Sequence, residues 1–159
     1  GSSWRAVRIA ATSIATATPR EPREFEKAVC RRAADNAYEA AGLGPSDVSV
    51  VEVHDATAMG EVMAVEYLRL TEMGDGGAAA ERGELSIGGR VPVNTSGGLE
   101  SKGHPIGATG LGQIHELVTQ LRGEAGERQV QGAKVALQEN GGGQVGYEEA
   151  VVTVNIFTR

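Results

Sequence analysis

Cysteine is almost missing from this sequence. One residue in 159, Cys30, carries a thiol, which excludes an internal disulfide framework and any metal site built on a cysteine cluster. Excess positive charge is missing too. The formal net charge is -6, whereas a nucleic-acid binder normally presents a basic face. The deficit leaves a nucleotide-like ligand open, because a helix N-terminus or a local basic cluster holds phosphate in an acidic protein. No long hydrophobic run occurs. The most apolar early stretch, Ala6 to Ala17, is interrupted by Arg8 and rich in Thr and Ser. It is too short and polar to span a bilayer and makes a poor signal peptide, so a cytoplasmic protein is expected. Internal repeats and low-complexity linkers are also lacking. Gly1 to Ser3 is consistent with a cloning remnant. What remains is one domain, residues 1–159, long enough to bury a good core.

Hydrophobic patterning supplies the elements. AVRIAATSIATA alternates and is rich in β-branched residues, so it reads as a strand. TPREPRE is a polar connector broken by proline. From Glu24 to Ala41 the period becomes helical: Phe25, Val29, Ala33, Ala37 and Ala41 share a stripe, and Gly42 is a natural stop. DVSVVEVHD reads as a buried strand ending in His54 and Asp55. A helix is expected over about Ala58 to Leu70, with Thr57 or Asp55 as N-cap. GDGGAAAERGE reads as a flexible loop and GGRVPVNTSGG as a short extended piece. A second amphipathic helix, Ala108 to Leu121, places Leu111, Ile114, Val118 and Leu121 on one side and closes at Gly123. GAKVALQEN and EEAVVTVNIF are two final strands around GGGQVGY. This order implies an α/β layered domain with a mixed sheet flanked by helices.

Three glycine clusters carry the chemistry. VNTSGGLESKGHPIGATGLG packs six glycines into twenty residues around His104. Gly107, Gly110 and Gly112 match neither the dinucleotide fingerprint nor a Walker A loop. Pro105 fixes its own φ and pushes His104 toward an extended backbone. Gly103-His104-Pro105 ahead of a helix therefore suits a backbone passing close to a ligand with the imidazole fixed; a glycine-rich turn with a surface histidine is the plain alternative. His54 and Asp55 end a buried strand, where ligands bind in open α/β sheets. Asp55 is equally explained as a helix cap, and His54 as a hydrogen-bonded core residue. In LQENGGGQVG, Glu139 and Asn140 stand at a strand end. Gly141 and Gly142 lead a glycine run that suits a hairpin turn or exposes N–H groups for an oxyanion hole. His115 falls on the polar side of its helix. Cys30 has no activating neighbour in sequence and reads as structural.

VNTSGGLESKGHPIGATGLGQIHELVTQLRG, AGERQVQGAKVALQENGGG and VEVHDATA together resemble the C-terminal half of thiolases, above all the sterol-carrier-protein-X-like thiolases. The likeness covers nearly the whole chain from Arg5. It implies the C-terminal half of the layered thiolase fold. The nucleophilic cysteine belongs to the family's N-terminal half, expected from the same gene, a cleaved chain or a separate subunit. By resemblance, His104 matches the histidine that activates the nucleophile and donates to the thioester oxygen, and His54 the neighbouring oxyanion position. Gly141 matches the glycine of a second oxyanion site. Gly103, Pro105, Asn140 and Gly142 would line the bound substrate. The implied substrate is an acyl-CoA, with coenzyme A as co-substrate and no permanently bound cofactor or metal. The implied reaction makes or cleaves a carbon–carbon bond beside the thioester. Ala56 replaces a cysteine of that group, Thr57 an aromatic residue, and Glu139 the acid/base cysteine of other thiolases. Glu139, His54 or a water would then move the proton, or the reaction differs. A retro-aldol lyase on a sterol-type CoA thioester and a non-catalytic acyl-CoA or lipid scaffold are the alternatives. The resemblance also implies homo- or hetero-oligomers and an OB-fold, zinc-containing partner in some members. No nucleic acid and no membrane span are expected. If the fold holds, His54, His104 and a Glu139–Gly141 turn meet in one cleft.

Overall fold

A computed structural model describes residues 5–159; Gly1 to Ser3 lie outside the described residues. The elements are β1 (Arg8–Thr16), α1 (Val29–Ala41), β2 (Val50–Glu52), α2 (Ala58–Tyr67), α3 (Gly76–Glu81), α4 (Gly98–Lys102), α5 (Thr109–Arg122), β3 (Val135–Gly142) and β4 (Val151–Thr158). The four strands form one sheet in the order β1-β4-β3-β2. β4 runs antiparallel to both neighbours, and β2 lies parallel to β3. The domain is thus α/β with a mixed sheet.

Strand alternation sorts the two faces. Ala11, Ala15, Leu137, Val152, Val154 and Ile156 point to the side covered by α1 and form the main core with Val29, Ala33, Ala37 and Tyr38. Val50, Ala136 and Phe157 point the other way, into a smaller cluster with Leu117 and Leu121 of α5. Helix α1 crosses β1 and β4, whereas α5 crosses β2 and β3. The α5 side of the β1–β4 pair is therefore uncovered, and Ile14 there is 67% exposed.

Helix α1 begins later than the stripe from Glu24 predicts. Phe25–Lys27 forms a separate 3₁₀ turn, and Ala28 is extended, with φ -56° and ψ 141°. The helix ends as expected: Gly42 takes φ 66°, and its N–H reaches the carbonyls of Tyr38 and Glu39. Thr57 caps α2 by accepting from the Gly60 N–H at 3.0 Å.

Three expectations fail on packing. The GDGGAAAERGE segment is not a loop throughout but contains α3. The Gly76 N–H donates to the buried Glu66 carboxylate at 2.9 Å, a Cβ at Gly76 would lie 2.9 Å from that carboxylate, and Arg82 clasps Asp75 with both terminal nitrogens. The GGRVPVNTSGG segment is extended only around Val93, which bridges to Val51, and its last residue opens a short helix, α4, that the reading lacked. Helix α5 does not bury the predicted Leu111 stripe. Leu111 is 71% exposed, and the buried side is Thr109, Gln113, Glu116, Leu117, Gln120 and Leu121. Gln113 and Gln120 are buried because each is hydrogen-bonded, as buried amides require. Gln113 accepts from Gln138 at 2.8 Å and donates to the Glu139 carbonyl at 3.0 Å. Gln138 in turn accepts from Asn155, which accepts from Thr12. A one-way ladder of side chains therefore crosses from β1 to α5.

Among the described residues, no helix is long and apolar enough to cross a membrane.

Candidate active site

The site is assembled where β2 ends opposite Gln138 and β3 runs on beyond it. The chain leaving β2 delivers Val53, His54 and Asp55, with the Val53 N–H held by the Asn94 side chain at 2.9 Å. Two carboxylates at this strand end hold the next functional segment. Asp55, buried, accepts the Leu99 N–H at 2.7 Å at the start of α4. It caps α4, rather than α2 as one sequence reading allowed. Glu52, fully buried, accepts from the Ser96 N–H at 3.0 Å and Ser96 hydroxyl at 2.5 Å, and lies 3.5 Å from Lys102 Nζ. Burial pushes its pKa up against these donors. Helix α4 is thereby fixed at both ends, and Lys102 is followed by Gly103, whose φ of 88° turns the chain into His104 and Pro105.

The two histidines meet. His54 Nε2 and His104 Nε2 are 3.4 Å apart, with ring centroids at 4.9 Å in an edge arrangement. Thr109, the first residue of α5, orients His104: its Oγ1 lies 2.7 Å from His104 Nδ1 and donates to the Pro105 carbonyl at 3.3 Å. With the threonine proton so engaged, Nδ1 carries the imidazole proton and Nε2 is left as the acceptor. Burial lowers the pKa of His54, and proximity to His104 lowers it further. His54 is therefore neutral around pH 7 and able to present Nε2–H to its neighbour.

Glu139 completes the cluster. It is 2% exposed, and its Oε2 accepts the His54 N–H at 2.9 Å. Loss of solvent drives its pKa up to about 8, opposed by that N–H and assisted by the charges of Glu149 and Asp55. It is a neutral acid at pH 7. Glu139, Asn140, Gly141 and Gly142 are not in a turn: β3 continues through Gly142, with Gly141 opposite Val152 and Gly142 opposite Val151. Alternation sends Asn140 to the other face, toward Gly110 of α5, where its Oδ1 is buried with no partner among the described residues. Asn140 is thus separated from His54 and Glu139. Cys30 is buried, and desolvation holds its thiol well above the ordinary range. His115 is exposed on α5.

A cavity of about 300 Å³ opens beside this cluster. Its walls are the start of α1, the Gly60–Tyr67 side of α2 and the loop from Gly143 to Glu149, with His54 and Glu139 on its rim. Sequence reasoning missed Thr109, Glu52, Lys102 and Glu149. Only Glu52 carried a signal, as a charged residue inside an otherwise apolar strand.

The domain thus brings together two histidines, one in a Gly-His-Pro loop before a helix and one after a parallel strand, on a mixed sheet with a helix on each face. A family model described as thiolase C-terminal domain-like matches residues 11–155, and the chain belongs to that family. It is 50% identical over 146 residues to sterol carrier protein 2 of Rattus norvegicus, covering 88% of this chain and 27% of that protein. It is also 50% identical over 127 residues to an acetyl-CoA acetyltransferase of Methanothermobacter thermautotrophicus, covering 80% of this chain and 32% of that one. Among solved structures, the "Ltp2-ChsH2(DUF35) aldolase" superposes with a TM-score of 0.80 over 96% of this chain and 39% of its own, at 21% identity, a likeness of fold. The chain thus spans about a quarter to a third of the length of these two relatives by sequence.

Proposed function

We propose that this domain supplies the oxyanion and proton-transfer half of an enzyme that makes or breaks a carbon–carbon bond next to a CoA thioester carbonyl. The carrying observation is the facing pair His54 and His104, with His104 held in one tautomer by Thr109. Chemistry at this position creates negative charge on the thioester oxygen, and donors aimed at it in advance lower the barrier. His104 Nε2 first accepts the proton of a nucleophilic thiol supplied by the N-terminal half of the enzyme. Once protonated, the same nitrogen donates to the oxyanion. His54, kept neutral, donates from the second side. Glu139 takes the place of an acid/base cysteine and, being protonated at neutral pH, returns a proton to the substrate carbanion. Cys30 has no part, because its thiol is buried and protonated. Coenzyme A is the co-substrate, and the relative named for acetyl transfer from acetyl-CoA supports this reading.

The test pairs this chain with a cysteine-bearing N-terminal half and follows thiolysis of acetoacetyl-CoA. His104→Ala is expected to lower turnover roughly a hundredfold to a thousandfold, as loss of one oxyanion donor does, with little change in thermal stability. His104→Asn keeps a donor and removes the base, so it restores little if His104 also takes the thiol proton. Full activity in the Ala variant would sink the assignment. The chain without the N-terminal half is expected to show no thiolysis.

A further inference from the structure

The chain leaves the sheet at His54, and each backbone N–H of that departure is taken. The ladder with β3 stops at Glu52, so the groups beyond it need other partners. The Val53 N–H donates to Asn94 Oδ1 at 2.9 Å, the His54 N–H to Glu139 at 2.9 Å, and the Asp55 N–H to the Val53 carbonyl at 3.1 Å. Glu139 holds this segment from β3. Asn94 holds it from the other side of β2, where Val93 bridges to Val51.

Asn94 has a φ of 51°, in the left-handed region that asparagine enters more readily than most residues. Its four polar atoms reach four segments. Its N–H donates to the Val51 carbonyl at 2.8 Å, and its carbonyl accepts the Gly97 N–H at 2.8 Å, just before α4 and the path to His104. Its Oδ1 holds Val53, and its Nδ2 donates to Glu61 Oε2 at 2.7 Å in the first turn of α2. These partners fix which way round the amide stands. The Val53 N–H can only donate, so it selects the oxygen, and the NH₂ turns to Glu61, whose ionised carboxylate can only accept. Burial raises the pKa of Glu61, and the Asn94 bond opposes that rise. Helix α2 is also a wall of the cavity beside the histidines. One short side chain therefore joins the strand end that carries His54, the approach to His104 and the cavity wall.

Resting on the reading that the facing histidines act together, we propose that Asn94, oriented by Glu61, is the positioning residue that sets the approach of His54 Nε2 to His104 Nε2. The 3.4 Å contact between these nitrogens is made by two segments, and both are tied to Asn94. Asparagine meets three demands at once: a left-handed backbone, an acceptor for Val53 and a donor for Glu61. Aspartate lacks the donor, and glycine lacks both side-chain groups.

The test uses this chain, isotope-labelled in its histidine nitrogens, paired with an unlabelled cysteine-bearing N-terminal half. The chain has three histidines, and His115, exposed on α5, is the internal control for the ring-nitrogen signals. In the wild type His54 is expected to carry its proton on Nε2 and His104 on Nδ1. Asn94→Gly keeps the backbone angle without strain and removes the side chain. It should move the His54 and His104 signals toward the mixed-tautomer pattern of His115, leave His115 unchanged, and lower thiolysis of acetoacetyl-CoA roughly tenfold to a hundredfold, the scale of a misplacement of about 1 Å. Asn94→Asp should act likewise, because two carboxylates then face each other. Adding Glu61→Gln to Asn94→Asp returns a donor to the pair and should restore both the signals and most of the turnover. A lower melting temperature in Asn94→Gly with unmoved histidine signals would overturn the proposal, since that is what a purely structural role produces. So would a double variant no better than Asn94→Asp alone, a comparison that stands even if Asn94→Gly does not fold. The predicted signal pattern in an assembled protein without thiolysis would support the positioning of the pair and defeat only the reading of function on which it rests.

Discussion

His104 owes its state to a threonine five residues away. Thr109 spends its hydroxyl proton on the Pro105 carbonyl and receives the imidazole proton at 2.7 Å. Thr109→Val keeps the shape and removes the hydroxyl. Activity of the assembled enzyme is expected to fall about tenfold, near 1.4 kcal/mol, since a 1.4 kcal/mol loss of transition-state stabilisation is a factor of ten. Thr109→Ser should recover most of it, which a purely packing role would not produce. Glu139 gives a second prediction. Its pKa stands near 8 in the folded protein, against 4.5 for an unperturbed glutamate. Between these values the folded state binds the proton and the unfolded state does not, so stability is fully present below about pH 4.5 and falls as pH rises to about 8. The slope approaches 1.4 kcal/mol per pH unit within the window. Glu139→Gln should flatten that part of the stability curve, measured by denaturant unfolding at a series of pH values. An unchanged slope would contradict a neutral Glu139.

Short elements decide where the functional side chains stand, and these were the least legible in sequence. Helix α4 is only five residues long, begins with glycines and shows no hydrophobic period; it exists because Asp55 accepts the Leu99 N–H and Glu52 holds Ser96 and Lys102. Those contacts join residues more than forty positions apart, beyond the reach of local pattern. In contrast His104 and Glu139 were legible from the glycine runs beside them, and His54 from its place where an apolar strand gives way to a helix. The sheet strands were legible from alternation. Helix α5 was found with the wrong face, because its buried side is amide-rich and periodicity counts apolar residues only. Gly98 tests the α4 tether. It has φ 63°, and a Cβ would come within 2.0 Å of Asp55 Oδ2. Gly98→Ala is expected to cost about 2 kcal/mol or more from strain alone, lower the melting temperature, and reduce activity further by releasing the His104 loop. Asp55→Asn, which keeps an acceptor for Leu99, should cost less in both measurements.

At the scale of the molecule, one sheet is covered on one side by α1 and only half covered on the other by α5. The open half carries Thr12, Ile14 and Thr153, and Ile106, at 85% exposure, and Leu111 project from the His104 loop and α5. Exposed apolar side chains of this kind are candidates for the contact with the proposed N-terminal half. Ile14→Lys should leave the fold intact, because Ile14 is already exposed, yet weaken pairing with that half at least tenfold (about 1.4 kcal/mol). Co-purification or analytical ultracentrifugation of the mixed halves would show it. Undiminished pairing would place the interface elsewhere.

The pairing of β1 with β4 sets a schedule as well as a shape. Among the described strands β1 pairs with β4 alone, and its ladder partner Asn155 lies 143 positions after Thr12. At about 5–20 residues per second of synthesis, β1 waits on the order of ten seconds or more on the ribosome for the strand that completes it. During that wait Ile9 and Ile14 stand on an unpaired strand edge, the kind of surface that recruits other chains. A ribosome stalled before Val151 would therefore hold a chain whose β1 and β3 both lack their shared neighbour. The exposure of β1 ends only as β4 slots between it and β3.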